Sequence, residues 1–534
     1  MIVANQISSS EHQSIINHKT NEILITLKGA TDVVLTNDKC STYKTSSGDI
    51  RELTDNIRQR IIQRQEQMGK CGYRIIAMLQ QKLDKNVFDQ SLMNAVSDDP
   101  YNGFPKEGYT FIGLFCLLDP PRVEVPDAVH KAREAKIRIA MVTGDHPTTS
   151  IAIGTQVNIL TPEIYQANET TERSAKQVLI PYAMVVKGMD EYIWTWVLSH
   201  QELIFARTSP EHKLRIVMEC QRRGEVVAVT GDGTNDAPAL KRADLGVAMQ
   251  SGSDVSKEAG DMVLIDNDFS SIVKAIETGR LLSDNLKKVA IYLLPGGSWS
   301  EIWPVFFNTW LGIPLALSAF QATIFCMLND VFMSLAMVSE KAEKDIMHRP
   351  PTIRNKSHLL NLKLLFHAYM IIGNIECFSS FFCFFWWYHA NGIPLSMIFF
   401  KFNHFEEQFS VEKQQQLASI NQTGQCIYYV ALCIMQCFNL LTTRTRYASF
   451  FTHNPFWSRH SRNLWLIVGI IASTLTCVLV TQVPFMQHQF KTERVPILYV
   501  LPALGFGSLM FIMDELRKLY IRRYPNCWLE RIAW

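Results

Sequence analysis

At 534 residues the chain is longer than one ordinary domain. Charged residues make up only 19%, against about a quarter in a typical soluble globule, while hydrophobic residues reach 47% and aromatics 11%. That excludes a disordered, collagen-like or wholly soluble chain, and a net charge of +2 argues against nucleic acid as a partner. The average hides a division: sequence up to about residue 288 is mixed and polar, and long aliphatic and aromatic runs follow. The opening MIVANQISSSEHQ has neither a basic n-region nor an apolar h-region, so no signal peptide is expected and the first half should stay cytosolic. Twelve cysteines are scattered singly, without disulfide-framework or zinc spacing.

Between Tyr109 and Val247 apolar runs alternate with helix-compatible stretches. The runs are TFIGLFCLLD (110–119), IRIAMVTGD (137–145), LIFART (203–208) and VVAVTGDG (226–233). Continuous rather than alternating hydrophobicity predicts strands buried on both faces, hence a parallel α/β sheet. Ligands in such sheets bind at the carboxyl ends of strands. Four features there suit phosphate. Thr143-Gly144-Asp145 offers a hydroxyl and backbone N–H groups, and Lys213 a fixed cation. Thr230-Gly231-Asp232-Gly233 ends another strand, and Thr234-Asn235-Asp236 adds a second carboxylate four residues after the first. Hard oxygen ligands of that kind suit Mg²⁺, which takes one or two carboxylates plus phosphate oxygens. A single TGD is an ordinary strand-to-helix turn; the ordered set is a phosphate-chemistry pattern.

Crossing a bilayer takes about 20 largely apolar residues, and six stretches qualify: about 289–312, 314–337, 364–388, 425–443, 463–483 and 497–514. Gly312-Ile313-Pro314 turns the first two into a hairpin. Lys287-Lys288 before the first span, and the tail of Arg517, Lys518, Arg522, Arg523 and Arg531, place both ends in the cytoplasm by the positive-inside rule. The polar stretch 390–424 then lies outside, with Asn421-Gln422-Thr423 an acceptor tripeptide for N-glycosylation. Polar residues inside the spans are costly and mark function by default. Glu301, within PGGSWSEIWP (295–304), and Asp330, after Asn329, point to a cation site, because Pro295, Gly296, Gly297 and Pro304 free carbonyls from helical bonding. Glu376 in the third span reads as an interhelical hydrogen bond or a snorkelling side chain.

MVTGDHP (141–147), FARTSPEHK (205–213), AVTGDGTNDAPALKRADLGVAM (228–249) and LLDPPR (117–122) resemble the P-type cation-transporting ATPases of the haloacid-dehalogenase superfamily. EKAEKDIMHRPP (340–351) and DELRKLYIRR (514–523) resemble the sodium/potassium and proton/potassium pump alpha subunits, and the likeness runs from about Lys28 to the C-terminus. PGGSWSE is similar to alkali-cation pumps of fungi and other lower eukaryotes. The resemblance implies a partial nucleotide-binding domain (1–108), a haloacid-dehalogenase-like phosphorylation domain (109–288) and a six-span helical domain (289–534) in a multi-pass plasma-membrane protein. It also implies that Lys28 and Gly29 line an ATP pocket, that Arg74 reaches the phosphates, and that Asp119 and Arg122 contact nucleotide at the hinge. Thr143 and Lys213, with Gly144 and Asp145, would hold an aspartyl-phosphate. Asp232 would ligate Mg²⁺, supported by Asn235 and Asp236. Glu301 and Asp330 match two of the family's carboxylates for transported Na⁺, K⁺ or H⁺, with Asn329 and Asn439 beside them.

The family's D-K-T-G-T motif, whose aspartate accepts the phosphoryl group, occurs nowhere in these residues, nor do its T-G-E loop and P-E-G-L helix. Covalent catalysis fails without its nucleophile, so this chain is expected to be inactive alone. Cys326 and Asn439 stand where sodium pumps carry further carboxylates, and 390–424 holds no clear copy of the beta-subunit contact, which leaves a beta-type subunit open. Three readings follow: the C-terminal half of an alkali-cation pump using Mg-ATP, a membrane-anchored non-catalytic nucleotide- or Mg²⁺-binding regulator of such a pump, and a phosphatase using Asp119. Asp119 runs into Pro-Pro without the usual second acid.

Overall fold

Apolar runs fold according to what covers them, and those of this chain sort into two compact units, Met1–Val273 and Lys274–Trp534. The structure is a computed structural model that describes residues 2–6, 22–36, 39–84, 105, 107–161, 177–180, 190–343, 345–354, 357–400, 402, 411–456, 461–525 and 527–532.

In the first unit β1 (Ile2–Gln6), β2 (Glu22–Gly29), β3 (Cys40–Lys44), β4 (Ile50–Glu52), β5 (Arg74–Asp84) and β6 (Tyr109–Leu117) form one sheet in the order β1-β2-β5-β6-β3-β4. Every pairing is antiparallel except that of β3 with β6. Ile25, Ala77, Leu79 and Tyr109 are its fully buried core, against which Ile57 and Ile61 of the helix Asp55–Lys70 pack. One expectation is corrected here. The run 110–119 does not open the parallel sheet but pairs antiparallel with β5 over Arg74↔Leu117 to Gln80↔Thr110. A short continuous apolar run records burial and not the direction of its neighbour, so the sequence could not separate the two.

The remaining strands are parallel, as expected. They are β7 (Ala140–Val142), β8 (Gln177–Ile180), β9 (Glu202–Phe205), β10 (Ala228–Gly231), β11 (Leu245–Met249) and β12 (Met262–Leu264). They form two three-stranded sheets, β7-β9-β8 and β10-β11-β12. Parallel neighbours need crossovers, and helices such as Pro147–Gln156, Pro210–Arg222 and Ala237–Arg242 supply them. All four residues of β9 are buried.

In the second unit five helices among the described residues are long and apolar enough to cross a membrane: Ala319–Val338, Leu362–Ala390, Gln416–Thr443, Leu464–Gln482 and Ile497–Arg523. Their outward faces carry exposed Val331, Leu335, Ile471, Leu475, Leu509 and Ile512, while Asn329, Asp330, Glu376, Gln436 and Asn439 are buried. Apolar outside and polar inside is the arrangement hydrocarbon demands. The first expected span, 289–312, is also helical, through Phe269–Leu294, a π-helical turn at Pro295–Trp299 and Ser300–Leu311. Its prolines, glycines, serines and Glu301 make it the least apolar of the six. Gly312, left-handed at φ +64°, ends it as the hairpin turn predicts.

The fourth span starts earlier than expected. Its helix is Val411–Thr443, and the polarity of Gln416 to Gln422, read as an outer loop, belongs to a helix. Asn421 therefore lies in a helix, accepting a hydrogen bond from the Tyr388 hydroxyl at 2.9 Å, and Thr423 is buried. Lipid gives helices no hydrophobic drive to associate, so close packing and interhelical hydrogen bonds do the work. A Cβ at Gly296 would stand 1.6 Å from Gln436 Nε2, and one at Gly507 2.2 Å from the Phe438 ring.

Buried ion pairs lock one end of this bundle. Arg444 Nε lies 2.8 Å from Glu340 Oε1, and Asn463 Nδ2 donates to Glu340 Oε2 at 2.8 Å. Lys288 Nζ lies 3.3 Å from Glu343 Oε1, which also accepts from the Arg446 N–H at 3.0 Å. Burial alone would raise the Glu343 carboxyl, but Lys288 and the Arg446 amide bring it down to about 2. A depressed carboxyl contributes stability that is full above its unfolded value of 4.5 and is lost as pH falls towards 2. Lys288→Met is expected to cost about 3–5 kcal/mol by stranding that charge and to move the acid loss to higher pH. Thermal unfolding followed by tryptophan fluorescence across pH checks both, and an unchanged midpoint would remove the pair from the stability account.

Candidate functional site

The loops that leave β7, β9 and β10 at their carboxyl ends carry the predicted phosphate residues. Thr143 extends the β7–β9 ladder by one bond, its N–H donating to Phe205 O at 2.9 Å, while Thr208 N and Oγ1 both donate to Thr143 O at 3.0 Å. Its hydroxyl accepts from Asp145 N at 3.1 Å and donates to Asp145 Oδ2 at 3.2 Å. Thr143, Gly144 and Asp145 are thus one closed turn. Ser209 caps the helix Pro210–Arg222 through a capping box with His212, which fixes the first helical turn and Lys213 with it. The Lys213 ammonium reaches Asp236 Oδ1 at 2.5 Å. Asp236 Oδ2 accepts from Gly233 N at 3.3 Å. This fit depends on Gly231, where a Cβ would stand 2.5 Å from that of Asp236.

Asp232 is exposed, and its backbone oxygen is held by Ser253 N at 2.8 Å and Ser256 Oγ at 3.0 Å. Asn235 is exposed beside it. No group of three or more His, Cys, Asp and Glu among the described residues is placed to hold a metal ion. Mg²⁺ that takes most of its oxygens from phosphate and water needs only one or two carboxylates, and an anchored, solvent-facing Asp232 beside Asp236 fits that donor set.

A cavity of about 280 Å³ in the same unit is lined by Lys28, Gly29, Arg74, Gly144, Asp145, His146 and Arg207, with Gln65 and Thr149. Residues expected from separate domains therefore meet: Arg74 Nε lies 3.3 Å from Asp145 Oδ1. Asp119 and Arg122 are exposed and do not line it. Sequence reasoning passed over Arg207, which adopts φ +57° and pairs with Asp32 at 2.5 Å, and over His146. Both stand inside the quoted motifs, His146 directly after Asp145 and Arg207 six residues before Lys213.

In the second unit Glu301 and Asp330 are linked through Cys326 and Gly297. Glu301 Oε1 accepts from Cys326 Sγ at 3.1 Å, Asp330 Oδ1 accepts from the Tyr292 hydroxyl at 3.1 Å, and Gly297 passes close to Asp330 Oδ2. Asn439 Nδ2 donates to Gln436 Oε1 at 3.3 Å and to Tyr292 O at 3.4 Å. Asn329 instead accepts from Ser473. The carbonyl that Pro304 frees, Ser300 O, accepts from Tyr428 at 2.8 Å. Tyr292, Gln436 and Tyr428 were missed because nothing in sequence separates a polar residue lining a site from one packed elsewhere.

Burial, and then the positive charge of Arg207, hold the His146 imidazole below its ordinary value. Arg207→Gln removes the like charge and is expected to move modification of His146 by an imidazole-acylating reagent to higher pH. Peptide mass spectrometry reads the profile, and an unmoved profile would place Arg207 outside His146's surroundings.

Comparison with known proteins adds descent to this geometry. The family described as cation transporting ATPase, C-terminus, matches residues 314–520. The P-type ATPase cytoplasmic domain N matches 6–124, and haloacid dehalogenase-like hydrolase matches 214–276. The chain is 35% identical to the sodium/potassium-transporting ATPase subunit alpha-4 of Homo sapiens, over 95% of this chain and 50% of that protein. It is 36% identical to the potassium-transporting ATPase alpha chain 2 of Rattus norvegicus, over 95% and 50%. For the sodium/potassium-transporting ATPase subunit alpha of Hydra vulgaris the figures are 33%, 98% and 52%. The chain spans about half the length of the curated relatives it matches. It is a multi-pass membrane protein, and it belongs to the P-type cation-transporting ATPases, corresponding to a C-terminal half of their alpha subunits.

Proposed function

We propose that this chain is the phosphate-handling and cation-binding part of an ATP-driven, sodium/potassium-type alkali-cation pump of the plasma membrane, with both termini cytoplasmic. The observation that carries the reading is the pairing of two polar sites in one chain: the Thr143, Lys213 and Asp236 cluster at parallel strand ends, and the half-buried Glu301 with the buried Asp330. Lys28 and Arg74 bind the nucleotide phosphates at the cavity. Thr143 and the adjacent N–H groups orient the transferred phosphoryl group, and Lys213 neutralises one of its oxygens. Asp232, with Asp236, holds Mg²⁺, which when bound offsets charge on the phosphate oxygens. Donors fixed in place before the reaction supply most of phosphoryl-transfer catalysis.

The phosphoryl-accepting aspartate then comes from a strand outside these residues. β7 and β10 are the edge strands of the two parallel sheets, each leads into a TGD turn, and each is only partly buried. An edge strand presents a row of unpaired N–H and C=O groups ready to pair with another strand, which supports an added strand there.

Alone, the full chain is expected to bind a fluorescent ATP analogue with Mg²⁺ and to form no acid-stable phosphoprotein from radiolabelled ATP. Label on this polypeptide would overturn the proposal that its nucleophile lies elsewhere. Arg74→Gln should weaken analogue binding about tenfold or more, the worth of a charge-assisted hydrogen bond. Equal binding would detach the cavity from nucleotide. Asp330→Asn should weaken binding of thallous ion, a heavy alkali-cation mimic, and unchanged binding would remove it from the site.

A further inference from the structure

Three helices of the second unit each contain a π-helical turn: Pro295–Trp299, Phe325–Asn329 and His367–Gly373. Such turns widen a helix by one residue, leave carbonyls outside the regular ladder and gather at functional sites. Each lies within three residues of a membrane acid. Glu301 follows the first by two, Asp330 follows the second directly, and Glu376 follows the third by three. The first and third turns pack on each other. Trp299 Nε1 donates to Asn374 Oδ1 at 2.9 Å, the Trp299 and Tyr369 rings lie 5.1 Å apart, and a Cβ at Gly373 would stand 2.8 Å from Trp299.

Glu376 itself is fully buried, its carboxyl oxygens make no close hydrogen bond, and the donor that faces them is the neutral Asn439 amide rather than a cation. Full burial excludes the expected snorkelling tip, while Asn439 on the helix Val411–Thr443 supplies an interhelical contact of the expected kind. Glu376 interacts electrostatically with Asp330 and lies beside Asn439, whose amide is directed to Gln436 and Tyr292. Removing an ion from water costs several kcal/mol unless opposite charge comes with it, and among the described residues no Lys, Arg or His forms an ion pair with Glu376. The Lys288–Glu343 and Arg444–Glu340 pairs show how this same bundle treats carboxylates that serve structure alone.

We propose that Glu376 belongs to the membrane cation site, where it and Asp330, with carbonyls left outside the ladder at the π-helical turns, ligate a monovalent alkali cation. It restores part of the negative charge that Cys326 and Asn439 do not supply. The inference rests on the pump reading and adds a helix, Asn374–Ala390, to the site.

The test uses the full chain in lipid nanodiscs with thallous ion as the probe. Glu376→Gln is expected to weaken binding about tenfold or more, Glu376→Asp to weaken it less, and Asp330→Asn to weaken it too. The infrared difference spectrum on adding thallous ion should show a carboxyl change that Glu376→Gln removes, a readout that a packing role would leave in place. Wild-type affinity in Glu376→Gln with loss in Asp330→Asn would overturn this inference and leave the pump reading standing. No thallous binding by the wild-type chain would overturn both. If Glu376→Gln fails to fold, Glu376→Asp decides: its carboxyl is one methylene shorter, so unchanged affinity and an unchanged spectrum overturn the proposal.

Discussion

A charge taken out of water needs a counter-charge or a full set of donors, and this constraint arranges the second unit. At one end of the bundle it is met completely. Glu340 is shared by Arg444 and Asn463, Glu343 by Lys288 and two backbone amides, and Asp514 by Arg517 and Lys518. The Glu340 and Glu343 pairs join segments far apart in the chain, whereas Asp514 is paired within its own helix, and losing one partner of a buried pair strands the other at a cost far above that of any surface pair. The helix ends are therefore fixed relative to each other. Where lipid supplies no hydrophobic drive, such fixed points and close glycine contacts set the packing.

Deeper in the bundle the same constraint is left partly unmet. Glu301 faces a thiol, Asp330 a phenol and Glu376 the Asn439 amide, all of them neutral donors. Each of these weakly satisfied acids stands beside a π-helical turn, so local backbone irregularity and missing counter-charge coincide on three helices. A purely structural bundle gains nothing from either. A site that must release its ion gains from both, because groups already fully bonded to protein could not exchange protein partners for a cation.

Much of this was legible in the sequence, for physical reasons that also mark the limit. The parallel strands and the TGD turns were legible because buried strands are continuously apolar and strand ends carry the phosphate-binding residue types. Tyr109–Leu117 was misplaced because an apolar run does not encode the direction of its partner. The fourth span was shortened because Gln416 to Gln422 look solvated until the helices around them are known. Glu301 and Asp330 stood out as acids in apolar surroundings. Glu376 stood out equally, but whether its carboxyl meets a cation, a neutral amide or water is a property of neighbours remote in sequence, here Asn439 and Asp330.

In the first unit the limit falls elsewhere. Thr143 and Asp145 bond to each other within one motif and Ser209 caps the turn that carries Lys213, so these local geometries follow from short stretches of chain, while the Lys213–Asp236 contact joins two motifs. The cavity does not follow from short stretches. It exists because Arg74 on β5 meets Asp145 after β7, two segments whose only sequence-level link is that both carry charge. The Arg74–Asp145 and Arg207–Asp32 pairs also give the cavity its character. Both arginines are already matched by a carboxylate, so an incoming phosphate competes with Asp145 and Asp32 for the same guanidinium groups. In the proposed function, a nucleotide phosphate that takes Arg74 from Asp145 would loosen one contact between β5 and the turn that holds Thr143.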